Sequence, residues 1–477
     1  MTMGAIVSCI ALNLCECAAC MACSCCSGII NVTLGTAARF GHLLLFVGLF
    51  ILAVVMGTQY QDSIVGTSTF TYYYVDVPDS LNIEGLVEGC NSEFIEECVY
   101  RQLVYRASCI LTVFFMGMAL LGGMSDYINR SLWLLKIMMV FGLFVAFWYG
   151  TNNFFSGFAE LARVVSFFWL LVQGLLVLDI AHDLHDIIMH KASEEDSASG
   201  GSSNTYKGLY LLVAISFLVM ASVGLHYLFA EYAGCGTGMF FIVLTIIMGV
   251  LQTCTSALNS VNRGILTPLM MFAHATFMCW YALLSNPEAT CNPSASINTS
   301  EAKSASIWIV TFISLVALLF CVGSGSRIQQ IFLVSGEGVL ESSYGGYGSR
   351  LGADSDEDSS ALSGVLTGEK TTVTDKQPTA SKATSEQAAG GGGSSDVSSG
   401  SYAERVFFHV LMALASCYGG MILTSWGKPD GSPESVGDYS YAGSESMWLK
   451  IISQWVFFIM YWKALHVAYS TQTDSSS

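Results

Sequence analysis

Proline is scarce in this chain, with 7 residues among 477. Only Pro268 falls within a long apolar stretch, near its start, where a helix tolerates it because first-turn amides have no intrahelical acceptor. A coupled carrier usually builds its site from broken helices near the bilayer midplane. The shortage of proline argues against that design, although glycine can also interrupt a helix. A GxxxxGK[ST] phosphate-binding loop is absent, which argues against an ATP-driven flippase. Charge is scarce too. Only 12% of residues are charged, against about a quarter in soluble domains. Basic residues are the rarer sign, 19 Lys and Arg against 36 Asp and Glu.

What is abundant is apolar surface, 53% of residues with a mean hydropathy of +0.55. Roughly 20 apolar residues cross a ~30 Å hydrocarbon core. Such stretches recur at 40–58, 107–124, 133–149, 161–181, 208–229, 238–257, 265–284, 305–323, 404–424 and 447–467. The chain therefore reads as an all-α polytopic membrane protein with about ten transmembrane helices. The net charge of −17 belongs to the loops: eight carboxylates lie in residues 59–104 and ten in 336–402. Four regions follow. Residues 1–39 are a Cys-rich cytoplasmic segment, and 40–335 carry the first eight helices. Residues 336–402 form an acidic, Ser/Gly-rich loop too polar to offset its ordering entropy, and 403–477 hold the last two helices and a short tail.

Lys and Arg favour the cytoplasmic side of a membrane. With both termini inside, Arg39, Arg130, Lys191, Lys207, Arg263, Arg327, Arg405 and Lys463 lie inside near segment ends, and Arg101, Arg106, Lys303, Lys428 and Lys450 lie outside. In this orientation Ser193 and Ser355, each followed by three acidic residues, face acidophilic kinases; the plainer reading of both segments is acidic solvated chain. Seven cysteines crowd the first 26 residues. On the cytoplasmic side they suit S-acylation, with Cys20, Cys23, Cys25 and Cys26 as candidates, or small apolar packing, rather than disulfides. "CECAACMACSCC" lacks the spacer between separated pairs that a zinc site needs. Cys90, Cys98, Cys235 and Cys291 fall outside, where bridges form. Cys90 with Cys98 and Cys235 with Cys291 is one pairing, and sequence does not decide among the alternatives. Of three N-x-[ST] sequons, Asn31, Asn129 and Asn298, only Asn298 lies outside and is the glycosylation candidate.

"LLVLDIAHDLHDIIMH" sets Asp179, His182, Asp183, Asp186 and His190 within about 100° of helix surface. That cluster admits a metal site, a proton relay or a membrane helix entering the cytosol. A hydrolytic zinc needs further ligands from other helices. His226 and His274 lie in the outer halves of their segments and His409 near the inner end of its own, poorly placed to converge. The expectation is a helix end, with no metal, no cofactor and no enzyme activity.

The ordered set "VYRQLVYRAS", "FWLLVQGLLVLDIAHDLHD", "EYAGCGTGMFFI", "CWYALLSNPEATCNP", "FHVLMALASCYGGMILTSWGKP" and "MWLKIISQWVFFIMYW", after a Cys-rich amino terminus, resembles the serine incorporator (Serinc) family, related to fungal Tms-type proteins. The resemblance implies two helical bundles bridged by long tilted helices, and residues 159–190 could supply one, at about 48 Å. It also implies either ATP-independent scrambling of phospholipids between leaflets or a serine supply for phosphatidylserine and sphingolipid synthesis.

The side chains are read against both. A scramblase lowers the barrier to a headgroup crossing hydrocarbon, and a polar track open to lipid would do so. The fourth segment offers Glu160, Arg163, Ser166, Gln173, Asp179 and His182, with Glu160 paired to Arg163 near the outer interface and Asp179 to His182 near the inner one. Thr245, Gln252, Thr253 and Thr255 on the sixth segment and His274 and Thr276 on the seventh add to it. The plainer reading is that Ser and Gln join helices. Membrane phospholipids and sphingolipids are the expected partners, with serine as the alternative ligand; no nucleic acid is expected, a homo-oligomer is compatible with the sequence, and the location is plasma membrane or endomembrane. A membrane zinc lipid hydrolase is the third reading.

Overall fold

The computed structural model describes residues 34–59, 86–90, 95–199, 204–258, 264–288, 291–292, 307–320, 396–430 and 443–476. Cys20, Cys23, Cys25, Cys26, Asn298, Ser355 and most of the 336–402 loop lie outside them. The described residues form helices and no strand. In chain order these are α1 (Leu34–Gln59), α2 (Ile95–Met124), α3 (Asp126–Arg130), α4 (Trp133–Trp148), α5 (Asn152–Ser199), α6 (Thr205–Tyr232), α7 (Gly236–Ser256), α8 (Leu266–Leu283), α9 (Ile307–Phe320), α10 (Asp396–Leu423) and α11 (Ser444–Ser476).

Every apolar stretch of the sequence lies within or largely within a helix. Seven helices, α1, α2, α5, α6, α7, α8 and α10, are long and apolar enough to cross a membrane. α4 and α9 are apolar but shorter, and α11 is long but more polar along its length. Several helices outrun their apolar runs. α10 begins at Asp396, so residues 396–402, expected as loop, are helical, and α5 carries "KASEEDSAS" into its last turns. Both extensions follow from cooperativity: once an apolar stretch has nucleated a helix, each added residue needs only its own hydrogen bond.

Two groups of helices result. α1, α2, α4 and α10 pack around a large aromatic core that includes Phe46, Phe114, Phe115, Phe158, Trp169, Phe408, Tyr418 and Trp426, with α9 contributing Val310, Ala317 and Leu318. α6, α7, α8 and α11 pack around Leu228, Tyr232, Phe241, Ile242, Cys279 and Ile451. α5, with 48 residues and a length of about 72 Å, packs on α10 from the first group and on α6, α8 and α11 from the second. α6 meets α8 through Ala214, Ala221 and Leu228, buried at seven-residue intervals, and Gly224 lets Thr276 approach its backbone. Small residues at such a spacing permit close backbone approach where lipid supplies no hydrophobic drive. Most of the rest of α6 is exposed apolar surface.

Two disulfides, Cys90–Cys98 and Cys235–Cys291, are formed. The second ties the start of α7 to the segment after α8.

Candidate functional site

At one end of the first bundle, α2 grips the chain just beyond α10. Arg101 donates from Nη1 to the Lys428 carbonyl at 2.9 Å, Gln102 from Nε2 to that of Pro429 at 3.3 Å, and Tyr105 from its hydroxyl to that of Gly427 at 2.7 Å. The Tyr100 hydroxyl donates to the Leu423 carbonyl. These bonds hold Ser425 and Trp426 in the left-handed region, with φ of 53° and 62°, at a cost of about 1–2 kcal/mol per residue. The Trp426 amide closes the turn on Met421 O at 2.8 Å, satisfying a carbonyl at the helix end. Gly427 leaves room for the Arg101 guanidinium, which a Cβ there would meet. This turn directs Trp426 towards α8, where its Nε1 donates to the Tyr281 hydroxyl at 2.6 Å. Lys450 on α11 packs over the rings of Tyr281 and Trp426 and donates to Ser285 Oγ at 2.5 Å. Arg106, further along α2, caps the end of α4 at Phe147 O and Gly150 O and reaches Asn152 Oδ1. Asn152 in turn donates to Leu86 O and Glu88 O, beside the Cys90–Cys98 bridge.

Along α5 the predicted polar residues take distinct positions. Arg163 is buried and donates from Nη1 to Glu160 Oε2 at 3.0 Å and to Glu445 Oε2 at 2.9 Å, while Nη2 lies 3.4 Å from Trp426 O. Glu160 and Arg163 are therefore paired as the spacing suggested, and Glu445, from the first turn of α11, joins them. Ser166 is fully buried and donates back to Ala162 O at 2.6 Å, within its own helix. Gln173 is 1% exposed and its amide oxygen has no hydrogen-bond partner among the described residues. One residue on, Gly174 lies against the Phe457 ring of α11. Asp179 and His182 are half-buried nearer the C-terminal end of the helix, and Ser193 is exposed beyond them.

Ser166 and Gln173, the middle members of the expected track, are buried against protein. The reason is desolvation, because a polar side chain in hydrocarbon turns to the bundle interior even when it finds no full partner there.

The second bundle carries matching polarity. Gln454 on α11 donates to Thr245 Oγ1 at 3.0 Å and Ala275 O at 2.7 Å, and Gln252 to Phe458 O at 3.1 Å, with the Gln252 amide oxygen unpartnered. Thr245, Thr253, Thr255 and Thr276 all donate to carbonyls four residues back in their own helices. The His274 ring lies 5.2 Å from that of Phe457. Sequence reading placed Lys450 in the topology but assigned it no part in the site, and assigned Glu445 and Gln454 neither, although each is a polar residue within or beside the apolar run of "SESMWLKIISQWVFF". It also passed over His42, whose ring lies 4.9 Å from His409; His409 Nε2 in turn bonds Asn129 Oδ1 at 2.9 Å. Among the described residues no three His, Cys, Asp or Glu side chains come together in a metal-binding group.

A family model described as Serine incorporator (Serinc) matches residues 12–469. Serine incorporator 2 of Bos taurus is 23% identical, covering 96% of this chain and 95% of its own. Serine incorporator 3 of Bos taurus is 24% identical over 82% of this chain and 84% of its own. A probable serine incorporator of Monosiga brevicollis is 23% identical over 70% and 68%.

Proposed function

The chain belongs to the serine incorporator family of multi-pass membrane proteins, and from that premise we propose that it lets phospholipids cross between leaflets without ATP. The observation that carries this reading is Gln173, enclosed midway along α5 with an unpaired amide oxygen. An unsatisfied buried acceptor costs about 1–3 kcal/mol. Helix adhesion does not account for it, since among the described residues no hydrogen bond from Gln173 joins another helix, and Ser166 bonds its own. A polar lining exposed only when α5 parts from its neighbours does account for it. Such a lining would offer a headgroup hydrogen bonds where hydrocarbon offers none. The charged Glu160, Arg163 and Glu445 stand at one end of this stretch and Asp179 and His182 at the other, which gives polar groups at three depths.

A serine carrier is the competing reading, favoured by the names of the relatives. Against it stands the continuity of α5, α7 and α8, which run unbroken, where a coupled carrier presents broken helix ends. One preparation tests both: purified protein in liposomes bearing fluorescent phospholipids, without ATP, alongside uptake of labelled serine. Lipid exchange above that of empty vesicles, without serine accumulation, is expected. Serine uptake with no lipid exchange would replace this reading with the carrier.

A further inference from the structure

We propose that Glu160, Arg163 and Glu445 form a docking point for lipid headgroups that carry both a phosphate and an ammonium group. This rests on the lipid-moving reading above and names the class of lipid that the pathway admits.

Three observations place and define the site. First, its depth: immediately along the same helices, Leu161 and Val164 on α5 and Trp448 and Ile452 on α11 are exposed apolar side chains, 58%, 56%, 43% and 40% respectively. The carboxylates thus stand at the edge of two lipid-facing stripes, at headgroup level, with a tryptophan of the kind that favours that interface. Second, its charge. One guanidinium serves two carboxylates, leaving a net negative charge of one. Third, its accessibility: the Glu160 and Glu445 side chains are 58% and 68% exposed, while that of Arg163 is 5% exposed and its Nε has no acceptor among the described residues. Arg163 is held in the bundle, with Nη2 against the Trp426 carbonyl, and its two carboxylate partners are exposed groups that can leave at little cost.

A zwitterionic headgroup can exchange into this arrangement without losing an ion pair. Its phosphate takes the guanidinium, which matches phosphate oxygens in a two-pronged geometry. Its ammonium takes the carboxylates so released. A headgroup with phosphate but no amine would displace the same carboxylates, leave them unpaired and set its own negative charge beside them. Because Glu445 belongs to α11 and Arg163 to α5, the exchange also removes a link between those helices, directly above Ser166 and Gln173.

The test uses the full-length protein in detergent, with short-chain phosphatidylethanolamine and phosphatidylglycerol as probes in a direct binding titration. The parental protein should bind the ethanolamine lipid about threefold tighter, the size of a solvent-screened ion pair. The double variant Glu160→Gln, Glu445→Gln should lose this preference while keeping its thermal midpoint to within a few degrees. Equal binding of both lipids by the parent, or a preference that survives in the double variant, would overturn the proposal. The same two proteins in vesicles carrying either fluorescent lipid separate the claims. If the parent binds selectively and the variant does not, yet the parent exchanges neither lipid, the docking point stands and the lipid-moving function falls.

Discussion

Two polar regions buried in this membrane protein behave differently. In the clamp between α2 and the end of α10, Arg101, Gln102 and Tyr105 each donate to a carbonyl more than 300 residues away in sequence. In the stretch between α5, α7, α8 and α11, Ser166, Thr245 and Thr276 bond their own helices, and Gln173 and Gln252 keep amide oxygens without partners. The clamp converts polarity into a fixed shape, holding two left-handed residues so that Trp426 can join the bundles. Unpartnered amide oxygens occur in both regions, at Gln102 and at Gln173 and Gln252 among the described residues, but the α5 stretch spends its hydroxyl bonds within single helices. Burial alone therefore does not separate a structural polar group from a functional one; the destination of its hydrogen bonds does.

The largest expected effect is in the clamp. Arg101→Leu leaves the Lys428 carbonyl and the Glu97 carboxylate without their donor and should destabilise the protein by about 3 kcal/mol, read as a lower thermal midpoint and loss of monodispersity in detergent. A variant as stable as the parent would dissolve the distinction. Gln454→Leu comes next, because Gln454 bonds two other helices, at Thr245 Oγ1 and Ala275 O. It should cost about 1 kcal/mol, near the average for interhelical hydrogen bonds in membranes, in the same melting assay. Gln173→Leu sharpens the comparison most. Replacing an unpaired buried amide by an apolar group of similar size removes the cost of its unmet acceptor, so the midpoint should hold or rise, by up to about 1–3 kcal/mol in equivalent terms, while lipid exchange in vesicles slows severalfold. Unchanged exchange would return Gln173 to the role of filler. Smallest is the test of which end faces outward. In a host that glycosylates such loops, Asn298→Gln should abolish a glycan-dependent mobility shift and Asn129→Gln should leave mobility unchanged. A glycan on Asn129 would place the clamp on the cytoplasmic side.

Sequence by itself determined that the chain is helical and membrane-embedded, because apolar runs of bilayer length have one good solution when backbone amides must be satisfied internally. It also determined the Glu160–Arg163 pair, since three residues on a helix bring side chains together whatever surrounds them. The family was legible in its motifs as well. Tertiary structure alone decided that Glu445 completes that pair, that "VYRQLVYR" and "TSWGKP" are two halves of one clamp, and that His42 meets His409. Each joins helices far apart in sequence, where periodicity carries no information about partners. It also decided that Ser166 and Gln173 face protein rather than lipid, as neither spacing nor composition says which side of a buried helix its neighbours occupy. That is set by how α5 lies between two bundles, and by the cost of leaving polar groups in hydrocarbon.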